Sequence, residues 1–189
     1  SIFFLIVAPQ CSKIAICAII TIFTQMRIIS AVWRQVYMIE NLNGIHETVK
    51  YKENSNVKLF INAEAEDYPI HWHTPMEIIM PLEGGYTVQI GDDLVHLNES
   101  DIIFIASGVT HRLIAPDTGK RLILQIEWPA VSKIKEFNSI LTLIAPAITL
   151  TPETSGDIHS NIRKLLLDIA DEYQTDSFLS EAVIYSKML

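Results

Sequence analysis

The sequence predicts a mainly β fold, an antiparallel sandwich or barrel, followed by C-terminal α-helices. Short apolar segments separated by turn residues recur at close, regular spacing from about residue 51 to residue 128, as is typical of antiparallel sheets. After Pro129 the apolar residues change to a helical spacing, which is clearest over residues 157–173. The chain has 189 residues and is 49% hydrophobic, enough for one domain with a substantial core.

The strand predictions depend on alternation and on turn residues between the apolar segments. Residues 57–61 alternate between apolar and polar, whereas residues 76–82 form a continuous apolar strand. The sequence Gly-Asp-Asp at 91–93 is a hairpin signal between two further strands. The predicted strands are 57–61, 76–82, 86–90, 94–97, 102–106, 110–115 and 121–128.

Three helices are predicted after the strands. The first covers residues 132–143 and is separated by a connector at 146–154 from the second at 157–173. Ser177 is a candidate N-cap for the third. The second helix can pack its apolar side on the barrel or against a second subunit, and the sequence leaves both open. The apolar stripe of the second helix consists of Ile158, Ile162, Leu165, Leu166, Ile169 and Tyr173.

Residues 1–37 form an apolar leader that we interpret as an upstream extension, with Met38 as the natural start. Its apolar runs are interrupted and fall short of the roughly 18–20 residues of a membrane-spanning helix. They also lack the pattern of a secretory signal, so we expect no membrane association; the alternative is a single anchor helix over residues 14–33 that tolerates Arg27. Both cysteines, Cys11 and Cys17, lie in this leader, and the absence of cysteine elsewhere favours a reducing, cytoplasmic location.

The charge distribution argues against nucleic-acid binding by this chain. The formal net charge is −8. The leader holds three of the 14 basic residues and no acidic one, so residues 38–189 carry 11 basic against 22 acidic residues. A surface this acidic repels phosphate backbones, and no basic stripe interrupts it.

His71, His73 and Glu77 carry the most specific chemical signal in the sequence. Residues two and four positions apart lie on one side of an extended strand, so we expect all three side chains to leave the same face. His111 would have to join them from another strand. Three imidazoles and a carboxylate suit a divalent first-row metal such as Zn, Fe, Mn or Ni, so these four residues are the candidate metal ligands.

The same four residues have a second interpretation, as a hydrogen-bonded polar cluster that shapes the pocket of a sugar-like or other small ligand. Both interpretations place them around one cavity. Trp72 lies between the two histidines and points to the opposite face, where we expect it to pack against a second layer or the helices. His46, His96 and His159 lack motif spacing, so surface or turn roles are expected for them.

The pattern H-x-H-x3-E-x6-G, from His71 to Gly84, resembles the first signature motif of the cupin family. Residues 106–111, Ala-Ser-Gly-Val-Thr-His, resemble the second motif. The resemblance implies a cupin-type barrel, a double-stranded β-helix or jelly roll, followed by the predicted C-terminal α-helices. In metallo-cupins the positions of the three motif histidines and the glutamate bind the metal.

A cupin core followed by amphipathic helices resembles the N-terminal half of AraC-type transcriptional regulators. The shared pattern is H-x-H-x3-E-I-x3-L-E-G from His71, then a hairpin and a D-I-I-x-I strand from Asp101. In that family the barrel senses a small molecule, the helices dimerise and a C-terminal pair of helix-turn-helix units reads DNA. The resemblance implies a small polar effector, a homodimer through the C-terminal helices, and DNA contact only through a C-terminal domain beyond this sequence.

We therefore predict a leader at 1–37, a cupin β-barrel at 38–130 and a helical dimerisation and linker segment at 131–189. The last helix has no C-cap signal, so we expect the segment to be truncated before a DNA-binding domain. The alternative function is a metal-dependent cupin enzyme of the oxygenase or sugar isomerase type. No additional acid or base stands at a recognisable spacing, so the sequence favours the regulator over the enzyme.

Overall fold

A computed structural model describes residues 41–53, 55–127, 143–175, 177 and 179–188 of the chain. All of them lie in one compact unit, Asn41–Leu189. The predicted leader and nearly all of the predicted helix at 132–143 lie outside the described residues. The division into three regions therefore stays a prediction.

The described residues contain eleven strands and two helices. The strands predicted between residues 57 and 128 are confirmed with shifts of one or two residues at their ends. Four strands were not predicted: three before residue 72, and one inside the segment that we expected to be a connector. The strands are β1 (Leu42–Asn43), β2 (His46–Glu47), β3 (Val57–Asn62), β4 (Tyr68–His71), β5 (Met76–Glu83), β6 (Tyr86–Ile90), β7 (Asp93–Leu97), β8 (Ile102–Ile105), β9 (His111–Ile114), β10 (Lys120–Ile126) and β11 (Ala147–Leu150).

Two antiparallel sheets form the barrel. One has five strands in the order β11-β8-β5-β10-β3, and the other has four in the order β4-β9-β6-β7. Apolar side chains from both sheets meet in a common interior, as in a jelly roll. The fully or nearly fully buried members of this interior are Ile79, Tyr86, Val88, Leu97, Ile103, Ile105, Leu113 and Ile123.

The five-stranded sheet buries both of its faces. Because side chains alternate along a strand, Ile79 and Ile123 face the barrel interior while Ile78 and Leu124 face outward. The outward side chains join a second apolar cluster that includes residues of the C-terminal helices. This burial on both faces explains why the sequence of β5 is apolar without alternation.

Helices α1 (Pro152–Thr175) and α2 (Ser180–Met188) cover the outer face of the five-stranded sheet. The backbone of α1 departs from helical angles at Gly156, where φ is 45°. Leu166 and Ile169 of α1 and Ile184 of α2 are buried in the cluster beneath the helices. Most of the apolar side of α1 therefore packs on the barrel, which is one of the two possibilities left open by the sequence, whereas Ile158 stays exposed.

A buried histidine fixes α1 to the turn before β8. His159 is 3% exposed, and its Nε2 atom lies 2.7 Å from the carbonyl oxygen of Ser100. Arg163 donates a hydrogen bond to the Ser100 hydroxyl at 3.2 Å. The expectation of a surface or turn role for His159 is therefore wrong, because the barrel supplies it with a buried backbone partner.

None of the helices in the described residues is both long and apolar enough to cross a membrane.

Candidate metal centre

The four motif residues converge, but not from a single strand. His71 ends β4 of the four-stranded sheet, whereas Glu77 lies near the start of β5 in the five-stranded sheet. His73 lies in the bend between these strands, and His111 begins β9 as the register partner of His71. The expectation of one shared strand face is wrong, because the chain crosses from one sheet to the other at residues 72–75.

We refer to His71, His73, His111 and Glu77 as the histidine centre. Each of its side chains is only 1% or 2% exposed. A ligand nitrogen from each of the three histidines lies within 4.8 Å of the other two. Together the histidines form a buried group of the kind that can hold a metal ion.

Hydrogen bonds orient all three imidazoles in the same way. The Nδ1 atoms of His71, His73 and His111 each lie 2.9 Å from a backbone carbonyl oxygen, at Pro69, Pro75 and Val109. A carbonyl oxygen only accepts, so each Nδ1 carries a proton and donates it. In the neutral rings the Nε2 lone pairs then remain available as ligand atoms, and this arrangement is common among metal-binding histidines.

Glu77 brings a carboxylate against two of these lone pairs. Its Oε2 lies 3.1 Å from Nε2 of His73, and its Oε1 lies 3.6 Å from Nε2 of His111. Gln125 of β10 donates a hydrogen bond of 2.8 Å to Oε2. Within the described residues, Oε1 of Glu77 and Nε2 of His111 have no hydrogen-bond partner, although both are buried.

Outside the hydrogen bond between His73 and Glu77, the centre therefore presents buried acceptors to one another and few donors. Unpaired acceptors inside a protein are costly unless a cation or a proton lies between them. Two donor atoms about 2.0–2.2 Å from one metal ion lie roughly 2.8–3.6 Å apart for common ligand angles. The contacts of Glu77 with His73 and His111 fall within this range, so the residues fit a divalent metal ion.

The pKa values respond to burial and to the pairing with Glu77. Burial, together with the neighbouring His111, lowers the pKa of His71 to about 4. Burial would also lower the pKa of His73, but the hydrogen bond and negative charge of Glu77 raise it above its usual value. Burial would raise the pKa of Glu77, yet the adjacent imidazoles of His111 and His73 hold it well below its usual range. The carboxylate is therefore ionised and ready to bind a cation.

The sequence analysis did not identify Glu47 or Gln125. Glu47 of β2 is buried, with Oε2 lying 3.5 Å from Nε2 of His71. Its strand is fixed by backbone hydrogen bonds between Glu47 and Trp72 and between Trp72 and Ile45. Neither residue belongs to a local motif, and no spacing in the sequence links them to the histidines.

Trp72 packs on different residues than the sequence predicted. Its ring lies 4.4 Å from that of His46, centroid to centroid, at the β1–β2 hairpin. His46 is half-buried in this contact, whereas His96 is exposed and lies 3.0 Å from the Thr87 hydroxyl. Trp72 and His46 thus hold the strand that carries Glu47.

Comparison with known proteins identifies the class of domain. Residues 59–126 match the family model of the cupin domain. This match and the two-sheet barrel show that the chain contains a cupin domain with a cupin fold, followed by C-terminal helices. No curated protein matches the sequence.

Several solved structures are similar to part of the chain. A cupin-2 domain protein from Shewanella frigidimarina is 20% identical, with a TM-score of 0.36 over 40% of this chain and 74% of that one. A variant of Bacillus subtilis oxalate decarboxylase is 21% identical, with a TM-score of 0.35 over 39% and 22% of the two chains. A candidate mannose-6-phosphate isomerase from Ralstonia eutropha is 11% identical, with a TM-score of 0.37 over 42% and 80%. These names describe the three proteins and do not assign an activity to this chain.

Proposed function

We propose that this chain is the effector-sensing and dimerisation domain of an AraC-like transcriptional regulator. In this proposal a divalent metal ion at the histidine centre forms part of the site for a small polar effector. The sequence pattern from His71 onward supports the regulator family, and the buried acceptor cluster supports the metal ion. A cytoplasmic location is part of the same proposal.

One observation carries the sensing role: the histidine centre and the helices lie on opposite faces of the same two strands. Glu77 of β5 and Gln125 of β10 reach the centre, and they are register partners. Their sequence neighbours, including Ile78 and Leu124, pack in the cluster beneath α1. A ligand that shifts Glu77 or Gln125 therefore acts on strands that directly support the helices. Such a ligand needs only to prefer one of two arrangements.

A cavity beneath the helices gives them room to move. Its volume is about 390 Å³, and it lies between the outer face of the five-stranded sheet and α1. Ile78 and Leu124 line it from the sheet, and Ile162 and Leu166 line it from α1. Well-packed interiors resist small displacements, so incomplete packing at this contact favours a shift of the helices when the strands move.

The proposed dimerisation uses apolar side chains that the helical segment leaves exposed. Ile158 of α1 is 64% exposed and Leu179, just before α2, is 61% exposed. Exposed apolar side chains of this size are common contact residues in homodimers. We expect sedimentation analysis to find a dimer that an Ile158→Lys substitution weakens.

Hydrogen exchange of α1 tests the sensing proposal. We expect saturating Zn²⁺, Mn²⁺ or Ni²⁺ to change amide exchange in α1 of the wild-type chain but not of a His73→Ala variant. Exchange in α1 that is unchanged by every ion that binds would contradict the coupling. The regulator family also predicts that the coding frame continues past Leu189 for roughly a hundred residues with two basic helix-turn-helix patterns.

A metal-dependent cupin enzyme is the second candidate. Three histidines and one glutamate leave coordination positions for a substrate or dioxygen, which favours this candidate. The sequence favours the sensor, because it offers no additional acid or base at a recognisable spacing. Dioxygen uptake or sugar isomerisation by the Fe²⁺- or Mn²⁺-loaded chain would favour the enzyme instead.

A further inference from the structure

We propose that Glu47 is an additional metal ligand of the histidine centre, so that two carboxylates act on a bound divalent ion from two sides. This inference goes beyond the four motif positions and depends on the metal ion of the proposed function. It concerns a residue that lies on β2, outside the strands that carry the cupin motifs.

Glu47 approaches the histidine centre from a side that Glu77 does not contact. The Glu77 carboxylate lies against His73 and His111. Glu47 Oε2 instead lies 3.5 Å from Nε2 of His71, which is within the roughly 2.8–3.6 Å expected between two ligands of one ion. Each of the three imidazoles thus has a carboxylate oxygen within 3.6 Å of its Nε2. Among the described residues, the ligand atoms that all lie within 4.8 Å of one another are those of the three histidines, so the Glu47 carboxylate would turn toward an ion held by them.

The contact between Glu47 and His71 does not satisfy either group by itself. Nδ1 of His71 donates to the carbonyl oxygen of Pro69, so Nε2 of the neutral ring presents a lone pair to the carboxylate. Two acceptors at this distance repel each other unless a cation or a proton lies between them. Because Glu47 is 7% exposed, water can offset this repulsion only in part.

Charge balance points in the same direction. A divalent ion bound by three neutral imidazoles and one carboxylate keeps one positive charge inside the barrel. A second carboxylate neutralises the remaining charge, and burying a neutral group costs less than burying a charged one. Backbone hydrogen bonds between β2 and Trp72 hold the Glu47 backbone beside the centre. The second carboxylate is therefore supplied from a fixed strand.

The test is titration with Co²⁺, because the visible absorption of this ion reports its coordination number and ligands. Glu47→Gln keeps the size of the side chain and removes its charge. We expect this variant to bind Co²⁺ about 10-fold more weakly or worse, and to give a changed visible spectrum. Glu77→Gln is the positive control. Glu83→Gln is the matched negative control, since Glu83 is an exposed carboxylate paired with Lys120.

Each outcome decides between defined alternatives. Equal affinity and an equal spectrum for Glu47→Gln and the wild type would overturn the inference while leaving the four-residue metal site intact. Weaker binding with an unchanged spectrum would also overturn it, because Glu47 would then act only through its charge. If the wild-type chain binds no Co²⁺, Zn²⁺, Mn²⁺ or Ni²⁺, the metal part of the proposed function fails as well. Circular dichroism of each variant confirms that it is folded. If Glu47→Gln is not folded, Glu47→Asp is tested in its place.

Discussion

At the scale of single residues, the hydrogen bond from Gln125 to Glu77 connects the histidine centre to β10. The Gln125 amide lies 2.8 Å from Oε2 of Glu77 and 3.5 Å from Nε2 of His73. A donor in this position keeps the carboxylate oriented and partly compensates its buried charge. Gln125 therefore positions a ligand, although we do not expect it to bind the metal ion itself.

We predict that Gln125→Leu weakens metal binding by about 10- to 100-fold, because outer contacts of ligand residues contribute affinity of this order. Calorimetric titration with Zn²⁺ measures the change. Gln89→Leu is the control, since Gln89 bonds only to the backbone of an exposed hairpin. An unchanged affinity in Gln125→Leu would show that the contact with Glu77 has no role in metal binding.

At the scale of secondary structure elements, the packing of α1 on the five-stranded sheet decides whether the helices belong to the barrel. Leu166 is 3% exposed and lies in the cluster that contains Ile78 and Leu124. Lys164 is on the same helix but is exposed, and it is not part of the proposed dimer contact. Substitutions at the two residues separate the stability that comes from burial on the sheet from the stability that comes from helix formation.

We predict that Leu166→Ala destabilises the folded chain by about 2–5 kcal/mol, the range for removing a buried leucine side chain. Lys164→Ala should change the free energy of unfolding by no more than about 0.5 kcal/mol. Urea unfolding followed by circular dichroism measures both. Similar small losses in the two variants would contradict the packing of α1 on the barrel.

The elements also show which parts of the structure could be predicted from sequence. A continuous apolar run identified β5, a turn signal at residues 91–93 identified the β6–β7 hairpin, and helical periodicity identified the regular part of α1. β4 contains Pro69 and exposed side chains, and β11 is a half-exposed strand at the edge of its sheet, so neither has a clear apolar pattern. Pairing with a distant strand forms these elements, and local spacing contains no information on that pairing.

The residues of the histidine centre also differ in this way: some are identified by local sequence spacing and others only by contacts between distant strands. The cupin motifs identified its four residues, since their spacing is local and specific. Glu47 and Gln125 could not be found in this way, because their contacts to the centre depend on the folding of β2 and β10 against it. The predicted shared strand face also failed, although convergence itself was found, because the chain changes sheets between His71 and Glu77.

At the scale of the whole molecule, the histidine centre connects both sheets of the barrel. His71 and His111 belong to the four-stranded sheet, and Glu77 to the five-stranded sheet. A metal ion bound to both sheets joins them in the folded state and has no comparable site in the unfolded chain. Metal binding should therefore stabilise the domain as a unit.

We predict that the melting temperature rises with added metal ion and returns to its starting value with a chelator. At a free ion concentration of about 100 times Kd, linkage gives about 2.7 kcal/mol of stabilisation. Differential scanning calorimetry measures this effect. A His111→Ala variant should lose most of the response, and an equal response in that variant would show that the ion binds elsewhere.

The central claim is that the histidine centre binds a divalent metal ion, and elemental analysis of the purified chain tests it most directly. After equilibration with Zn²⁺, Mn²⁺, Fe²⁺ or Ni²⁺ and removal of free ions, we expect about one ion per wild-type chain. His96→Ala should retain it, because His96 lies on the exposed part of β7. His73→Ala should lose it. Wild-type and His73→Ala chains that are equally free of metal, or equally loaded, would contradict the claim.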